Sequence, residues 1–378
     1  MYVQRKLDLL AILKKKSCFL FGPRQTGKSC LIDHTLSEYR KYNLLDSADY
    51  LSLNQNPKRI EEALRPGEQI IIIDEIQRIP SLLNEVHLLI EKYQIRFLLT
   101  GSSARKLRRG GVNLLGGRAR SRTLHPFVYE ELKDRFDLMK ALRYGLLPSI
   151  YFSDAPKEDL SAYAGDYLQE EIATEGLTRN ISAFSRFLQV AAVCNGQMIN
   201  YAHISNDAQV PSTTVQEYFQ ILRDTLIGFD VPAWQHTIKR KPISTSKFYF
   251  FDVGVVRFLQ HRYELSPQSP EMGAAFETYM ANELKAYVDN HQLDSLCYWR
   301  SHSGYEVDFI VDNKLAVEVK AKANVSPEDL KGLRALKEEN KLAHYLCVCL
   351  ENRPRVVDGI DIIPWKDFLI RLGSGKYL

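Results

Sequence analysis

The residues from Gly22 to Ser29 read Gly-Pro-Arg-Gln-Thr-Gly-Lys-Ser and satisfy the G-x-x-x-x-G-K-S/T pattern at every fixed position. Glycine lets the backbone close around an anion, and the amides that open the following helix point at phosphates. In this pattern Gly22, Pro23, Arg24, Gln25, Thr26 and Gly27 cradle the phosphates of ATP. Lys28 reaches the β- and γ-phosphates, and the Ser29 hydroxyl ligates Mg2+.

Two further stretches belong to the same chemistry. Gln69 to Pro80 reads Gln-Ile-Ile-Ile-Ile-Asp-Glu-Ile-Gln-Arg-Ile-Pro, and its consecutive isoleucines predict a strand covered on both faces, as in a parallel sheet. Asp74 at its end is expected to hold the magnesium shell, and Glu75 to orient or deprotonate the attacking water. Arg96 to Thr100 predicts another strand, ending in Thr-Gly-Ser-Ser. Polar residues at the carboxyl end of a core strand sit where ligands bind in an open α/β sheet, so Ser102 or Ser103 is expected to sense the γ-phosphate or the water. The segment from Arg105 to Arg122 then carries Arg105, Lys106, Arg108, Arg109, Arg118, Arg120 and Arg122, four glycines and no acidic residue. Such a loop suits contact with phosphates, of nucleic acid or of a neighbouring subunit's ATP, and Arg118 is the candidate arginine finger.

A separate constellation lies towards the C-terminus. Asp308 falls on a predicted strand from Tyr305 to Val311, and Glu318-Val319-Lys320 on the next, from Leu315 to Ala321. Residues two apart on a strand share a face, which puts Glu318 and Lys320 together. If Asp312, Asn313 and Lys314 form a three-residue loop, Val311 pairs with Leu315 and Asp308 falls opposite Glu318, close enough for the two carboxylates to share a divalent metal. A two-residue loop instead sets Asp308 opposite Val317. Two carboxylates and a lysine on one face suit phosphodiester hydrolysis with Mg2+ held by Asp308 and Glu318.

Positioning these groups takes several domains, the natural outcome for 378 residues. Strand Cys18 to Phe21 and a helix from Lys28 to Leu36 flank the phosphate loop, inside a first domain over 1–143. Residues 144–180 read as a helical lid or connector. From 181 to 266, helical patterns at Ile181 onward, Ile199 to Ala208 and Ser212 onward precede two strands, Gly228 to Trp234 and Lys247 to Phe251. The strands flank a basic tip of His236, Lys239, Arg240 and Lys241, which makes a winged helix. In a DNA-binding use Thr213, Thr214, Gln216 and Gln220 would face a groove while the wing touches phosphates; packing between subunits is the other use. The Ser-Pro-Gln-Ser-Pro stretch after Leu265 reads as a linker to a last domain over 273–378.

Composition sets limits. Hydrophobic content of 45% and charged content of 25% are those of a soluble globular chain. The six cysteines form no C-x-x-C pair, which argues against zinc and against a disulfide framework. Lys14, Lys15 and Lys16 interrupt the first apolar stretch, and no run approaches the roughly 20 apolar residues of a membrane span, so a cytoplasmic protein is expected. A net charge of +4 is too small to argue for nucleic acid by itself; its distribution argues more.

Taken in order, the phosphate loop, Ile-Ile-Asp-Glu-Ile-Gln, Leu-Thr-Gly-Ser-Ser, Gly-Gly-Arg, Leu124-His125-Pro126-Phe127 and Glu130-Glu131-Leu132 resemble the archaeal-type AAA ATPases that carry a C-terminal domain of unknown function. Gly145 to Ile150 and Asp166 to Ile172 extend the resemblance along the chain. It implies ATP hydrolysis and a homo-oligomer such as a ring. The C-terminal constellation resembles the restriction-endonuclease-like, PD-(D/E)XK fold, including resolvases that cut branched DNA. That resemblance implies a glutamate on the first helix, here Glu277, with Glu283 as the alternative. The expected fold is therefore α/β: a P-loop NTPase domain, a winged-helix domain and an α/β restriction-endonuclease-like domain. The expected function is an ATPase that acts on duplex or branched DNA, such as a Holliday junction. A nucleotide-switched regulatory protein that packs against protein partners is the alternative.

Overall fold

The computed structural model describes residues 2–102, 107, 115–167 and 180–378. Ser103 lies outside the described residues, as do Arg105, Lys106, Arg108 and Arg109 of the basic segment and the end of the 144–180 connector. Among the described residues no helix is long and apolar enough to cross a membrane. The chain divides into two compact units, Met1–Pro126 with Asp224–Ile227, and Phe127–Arg223 with Gly228–Leu378.

The first unit is built on a parallel sheet of β1 (Ser17–Phe21), β2 (Arg40–Asn43), β3 (Ile70–Asp74), β4 (Arg96–Gly101) and β5 (Ala119–Thr123), in the order β2-β3-β4-β1-β5. Alternation within the apolar strands fills both faces. Phe19, Phe21, Ile71, Ile73, Phe97 and Leu99 pack with Leu82, Val86 and Leu89 of the Leu82–Tyr93 helix. Cys18, Leu20, Ile70, Ile72 and Leu98 pack with Leu31 and Ile32 of the Lys28–Thr35 helix and with Leu9 and Leu13. The last five residues before Leu124, expected as part of a loop, form the edge strand β5 beside β1; its exposed Arg120 is the kind of charge that protects a sheet edge.

Residues 127–143, expected with the first domain, group instead with the second unit. The cause is packing: Tyr129 N–H donates to Glu283 at 2.7 Å, Phe127 N–H donates to the Leu146 carbonyl at 2.9 Å, and the Leu138–Tyr144 helix lies on the Val253–Leu259 helix.

The middle of the second unit has helices Ile181–Val193, Tyr201–Ala208 and Ser212–Asp224, followed by the antiparallel pair β6 (Gly228–Val231) and β7 (Lys247–Phe250). Phe184, Phe187, Tyr218 and Phe219 form its core, while Thr213, Gln216 and Gln220 are exposed along one side of the Ser212–Asp224 helix. The segment between β6 and β7 differs from a free wing. The backbone N–H groups of Ile238, Lys239 and Arg240 donate to the Glu339 carboxylate at 2.8, 3.0 and 3.1 Å. Arg240 also pairs with Glu338 at 2.7 Å, Lys239 donates to the Glu338 carbonyl at 2.8 Å, and Trp234 donates to Asn313 at 2.7 Å. Lys239 and Arg240, expected to touch phosphates, are thus bound within the chain, because acidic groups at the end of the Lys331–Lys337 helix meet them first.

The C-terminal part is a mixed sheet in the order β12-β13-β11-β10-β9-β8, with β8 (Leu296–Arg300), β9 (Glu306–Val311), β10 (Leu315–Lys320), β11 (His344–Cys349), β12 (Arg355–Val357) and β13 (Ile360–Pro364). β8, β9 and β10 form an antiparallel meander, and β10 reaches the parallel β11 through the Lys331–Lys337 helix, as parallel neighbours require a crossover. Leu333 and Leu336 of that helix pack with Ile310, Ala316 and Cys347. The Glu271–His291 helix packs against β8, β9 and β10.

Candidate active site

In the first unit the parallel order brings the carboxyl ends of β1 and β3 to one edge with β4 between them. Gly27 takes a φ of 92°, in the left-handed region that favours glycine. Gly22 passes so close to the segment after β5 that a Cβ there would lie 2.5 Å from the Leu124 carbonyl oxygen. The buried Lys28 ammonium donates to the Gly22 and Pro23 carbonyls at 2.7 and 3.0 Å. Thr26 donates its hydroxyl to the Pro23 carbonyl at 2.8 Å, and Arg24 and Gln25 are exposed between them. Arg5, far away in sequence, donates to the Thr26 carbonyl at 2.7 Å and to the His125 carbonyl at 2.5 Å, tying the loop to the chain after β5.

Asp74 is only 3% exposed and is bonded from two sides: Ser29 Oγ donates to its Oδ2 at 3.2 Å, and the Thr100 hydroxyl donates to its Oδ1. Thr100 in turn accepts the Glu75 N–H at 3.1 Å. Glu75 leaves the strand at φ 63°, ψ 44°, a left-handed conformation that costs a side-chain-bearing residue about 1 kcal/mol, and Gln77 donates to its carboxylate. Lys41 stands 2.8 Å from Asp33 and 3.7 Å from Asp74. Ser102 is buried one residue past β4. Arg118 pairs with Glu91 and lies 3.5 Å from the Gly116 carbonyl; these described contacts do not bring it to the loop of its own chain. A hydroxyl and a carboxylate meeting at the loop are hard oxygen donors, and magnesium characteristically takes one or two such groups and fills its shell with phosphate oxygens and water. Ser29 and Asp74 fit that ion.

In the second unit the hairpin between β9 and β10 has the three-residue loop: Val311 pairs with Leu315, Phe309 with Val317, and Asp312 and Asn313 turn at φ 50° and 53°. One more step of that register sets Asp308 beside Glu318. Asp308 Oδ2 accepts the Val319 N–H at 2.8 Å. Glu318 accepts the Lys320 ammonium at 2.5 Å on Oε1, while its buried Oε2 has no hydrogen-bond partner among the described residues. Glu277 comes in from the Glu271–His291 helix and accepts the Tyr249 hydroxyl at 2.6 Å. Lys247 completes the group, 2.6 Å from Glu306 and 3.8 Å from Glu277.

Burial and then repulsion from Asp308 push the Glu277 carboxyl up to about 7, and the same two causes hold Glu318 well above the carboxylate range. The Glu283 side chain is not part of this group; it caps the Tyr129 N–H, and burial pushes its carboxyl up to about 8. Among the described residues no three His, Cys, Asp or Glu side chains stand as ligands for an ion, and the balancing charge comes from Lys247 and Lys320.

Sequence reasoning missed Thr100, Arg5, Lys41, Lys247 and Tyr249. Lys247 and Tyr249 did leave a signal: two polar side chains at strand spacing in the otherwise apolar Lys-Phe-Tyr-Phe run must share a face and need partners there.

Residues 14–133 match the AAA domain family. Residues 135–266 and 272–368 match two domains of unknown function, DUF8612 and DUF4143. Uncharacterized proteins of Mycobacterium bovis and Mycobacterium tuberculosis are each 26% identical over 302 residues, which is 78% of this chain and 67% of theirs. Among solved structures, the Aeropyrum pernix ORC1 protein in complex with DNA is 15% identical, with 65% of this chain and 86% of that chain covered at a TM-score of 0.25. A Pyrococcus horikoshii signal-transduction ATPase with a tetratricopeptide repeat sensor is 16% identical, with 77% and 48% covered at a TM-score of 0.27. At these scores neither likeness carries a functional argument.

Proposed function

We propose that the chain is a magnesium-dependent ATPase that couples nucleotide turnover to engagement of duplex or branched DNA. The observation that carries the ATPase reading is the linked set of Lys28 on the loop carbonyls, Ser29 on Asp74, and Thr100 joining Asp74 to Glu75. The loop amides and Lys28 bind the β- and γ-phosphates. Ser29 and Asp74 would hold Mg2+, which when bound neutralises charge developing on the transferred phosphoryl group. Glu75 orients the attacking water and takes its proton, Ser102 contacts the γ-phosphate, and Arg118 serves the site of an adjacent copy in a homo-oligomer.

The DNA part rests on the exposed, uncharged polar row Thr213, Gln216 and Gln220 of the Ser212–Asp224 helix and on the arginines at and before β5. In this reading the middle region is a winged helix that uses its helix, with the C-terminal region as a restriction-endonuclease-like fold that binds DNA; junction branch migration is its most specific form. A regulatory role through protein partners is the second reading, favoured by the docked Lys239 and Arg240 and by Glu217 and Asp224 on the same helix. ATP turnover with and without linear and four-way DNA, together with the salt dependence of binding, tests the choice. Stimulation by one DNA form and an affinity that falls steeply with salt support the first reading; no DNA binding at low salt leaves the second.

A further inference from the structure

A cleft in the second unit lies between three helices: the end of Ile181–Val193, the Val253–Leu259 helix and the start of Glu271–His291. Its volume is about 200 Å³, with Val253, Val256 and Ala275 as an apolar floor and Gln197, Arg262 and Ala274 at the exposed rim. Hydrogen bonds tie its walls together. Gln260, just past the Val253–Leu259 helix, donates to the Ala192 carbonyl at 2.7 Å, and Asn195 donates to Thr278 at 2.8 Å while accepting the Phe250 N–H at 2.8 Å. The space is therefore a standing feature of the fold.

Arg257 lines this cleft and is 3% exposed. A guanidinium carries several N–H donors and a permanent charge. Among the described residues this one makes a single hydrogen bond, from Nη2 to the Glu264 carbonyl at 2.8 Å, and no ion pair, and its buried Nε–H has no partner. Burial pulls the Arg257 pKa below its ordinary value, and the attraction of Glu271 offsets that only in part. A buried charge left in that state is costly, which is why such groups are normally paired. Arg257, Arg262 and Glu271 are the charged residues of the lining, so the cleft has one positive charge in excess.

We propose that this cleft binds a small monocarboxylate, with the carboxylate on the Arg257 guanidinium and a short hydrocarbon part on Val253, Val256 and Ala275. A planar guanidinium matches a carboxylate edge to edge. One negative charge balances the excess, whereas the side chains of the floor offer no donors for the further oxygens of a phosphate. The cleft is smaller than the roughly 300–1,000 Å³ of sites for drug-sized ligands, which limits the occupant to a few heavy atoms. The site depends on neither the ATPase nor the DNA reading.

The test is binding of butyrate to the nucleotide-free full chain by saturation-transfer NMR, with 1-butanol and inorganic phosphate as comparison probes. Wild type, Arg257→Gln and Ala274→Phe are compared, with circular dichroism checking that each is folded. Ala274 is an exposed helix position, so its replacement narrows the cleft and leaves Arg257 in place should Arg257→Gln fail to fold. Butyrate is expected to bind wild type with a dissociation constant of about 5 mM or less, and at least about tenfold more weakly in each variant. Butanol is expected to bind wild type at least about tenfold more weakly than butyrate. Weaker butyrate binding to wild type than that would overturn the proposal, as would an unchanged affinity in a folded variant or butanol binding as tightly as butyrate. Phosphate that binds more tightly than butyrate and is lost in the same variants would overturn the carboxylate assignment.

Discussion

Thr100 donates its hydroxyl hydrogen to Asp74 while accepting the backbone N–H of Glu75 at 3.1 Å, so one side chain of β4 sets both members of the acidic pair at the end of β3. Thr100→Val keeps the shape of the side chain and removes both bonds. The expected result is a fall in kcat for ATP of about 10- to 100-fold with KM for ATP little changed, since the pair acts on the reacting water more than on nucleotide binding. Thr100→Ser should recover most of the rate. Steady-state phosphate release measures both variants.

Glu339 gathers the N–H groups of Ile238, Lys239 and Arg240 and is 7% exposed. Glu339→Ala should therefore lower the unfolding free energy by about 1–3 kcal/mol, the range for leaving buried polar groups unsatisfied. Denaturant unfolding checks the size, and faster proteolysis between residues 235 and 245 checks the place. ATP turnover without DNA should stay at the wild-type rate.

Glu283 gives a pH dependence whose sign follows from its burial. Its carboxyl rises from an ordinary 4.5 to about 8, because burial disfavours the charge more than the Tyr129 N–H favours it. The folded chain then holds a proton that the unfolded chain has lost, so this residue's contribution to stability is whole below pH 4.5 and is lost as pH rises towards 8. Glu283→Gln accepts the same N–H without a charge. It should flatten the decline of unfolding free energy between pH 4.5 and 8, and at pH 8 the variant should be more stable than wild type; denaturant titrations across that range decide it.

Much of this was legible where short-range rules dominate. The consecutive isoleucines ending in Asp74 could only be a doubly covered strand, and the Val311–Leu315 register is one of the two that the sequence left open for the hairpin. The order of the C-terminal elements was readable up to β11, whereas β12, β13 and the Trp365–Gly373 helix carry no strong motif and were not anticipated. What escaped were side chains whose partners are distant in sequence: Arg5 on Thr26, Thr100 on Asp74, and Lys247 and Tyr249 on Glu277. The docking of Lys239 and Arg240 escaped for the same reason, since nothing near them in sequence announces Glu338 and Glu339.

The central claim is that the Gly22 to Ser29 loop turns over ATP, and Lys28 tests it most directly because its ammonium sits on the Gly22 and Pro23 carbonyls at 2.7 and 3.0 Å. Phosphate release is measured for wild type and Lys28→Ala side by side, with circular dichroism confirming that both are folded. Magnesium-dependent turnover in wild type and a loss of at least about 100-fold in Lys28→Ala are predicted. Equal turnover by the two folded proteins would contradict the account.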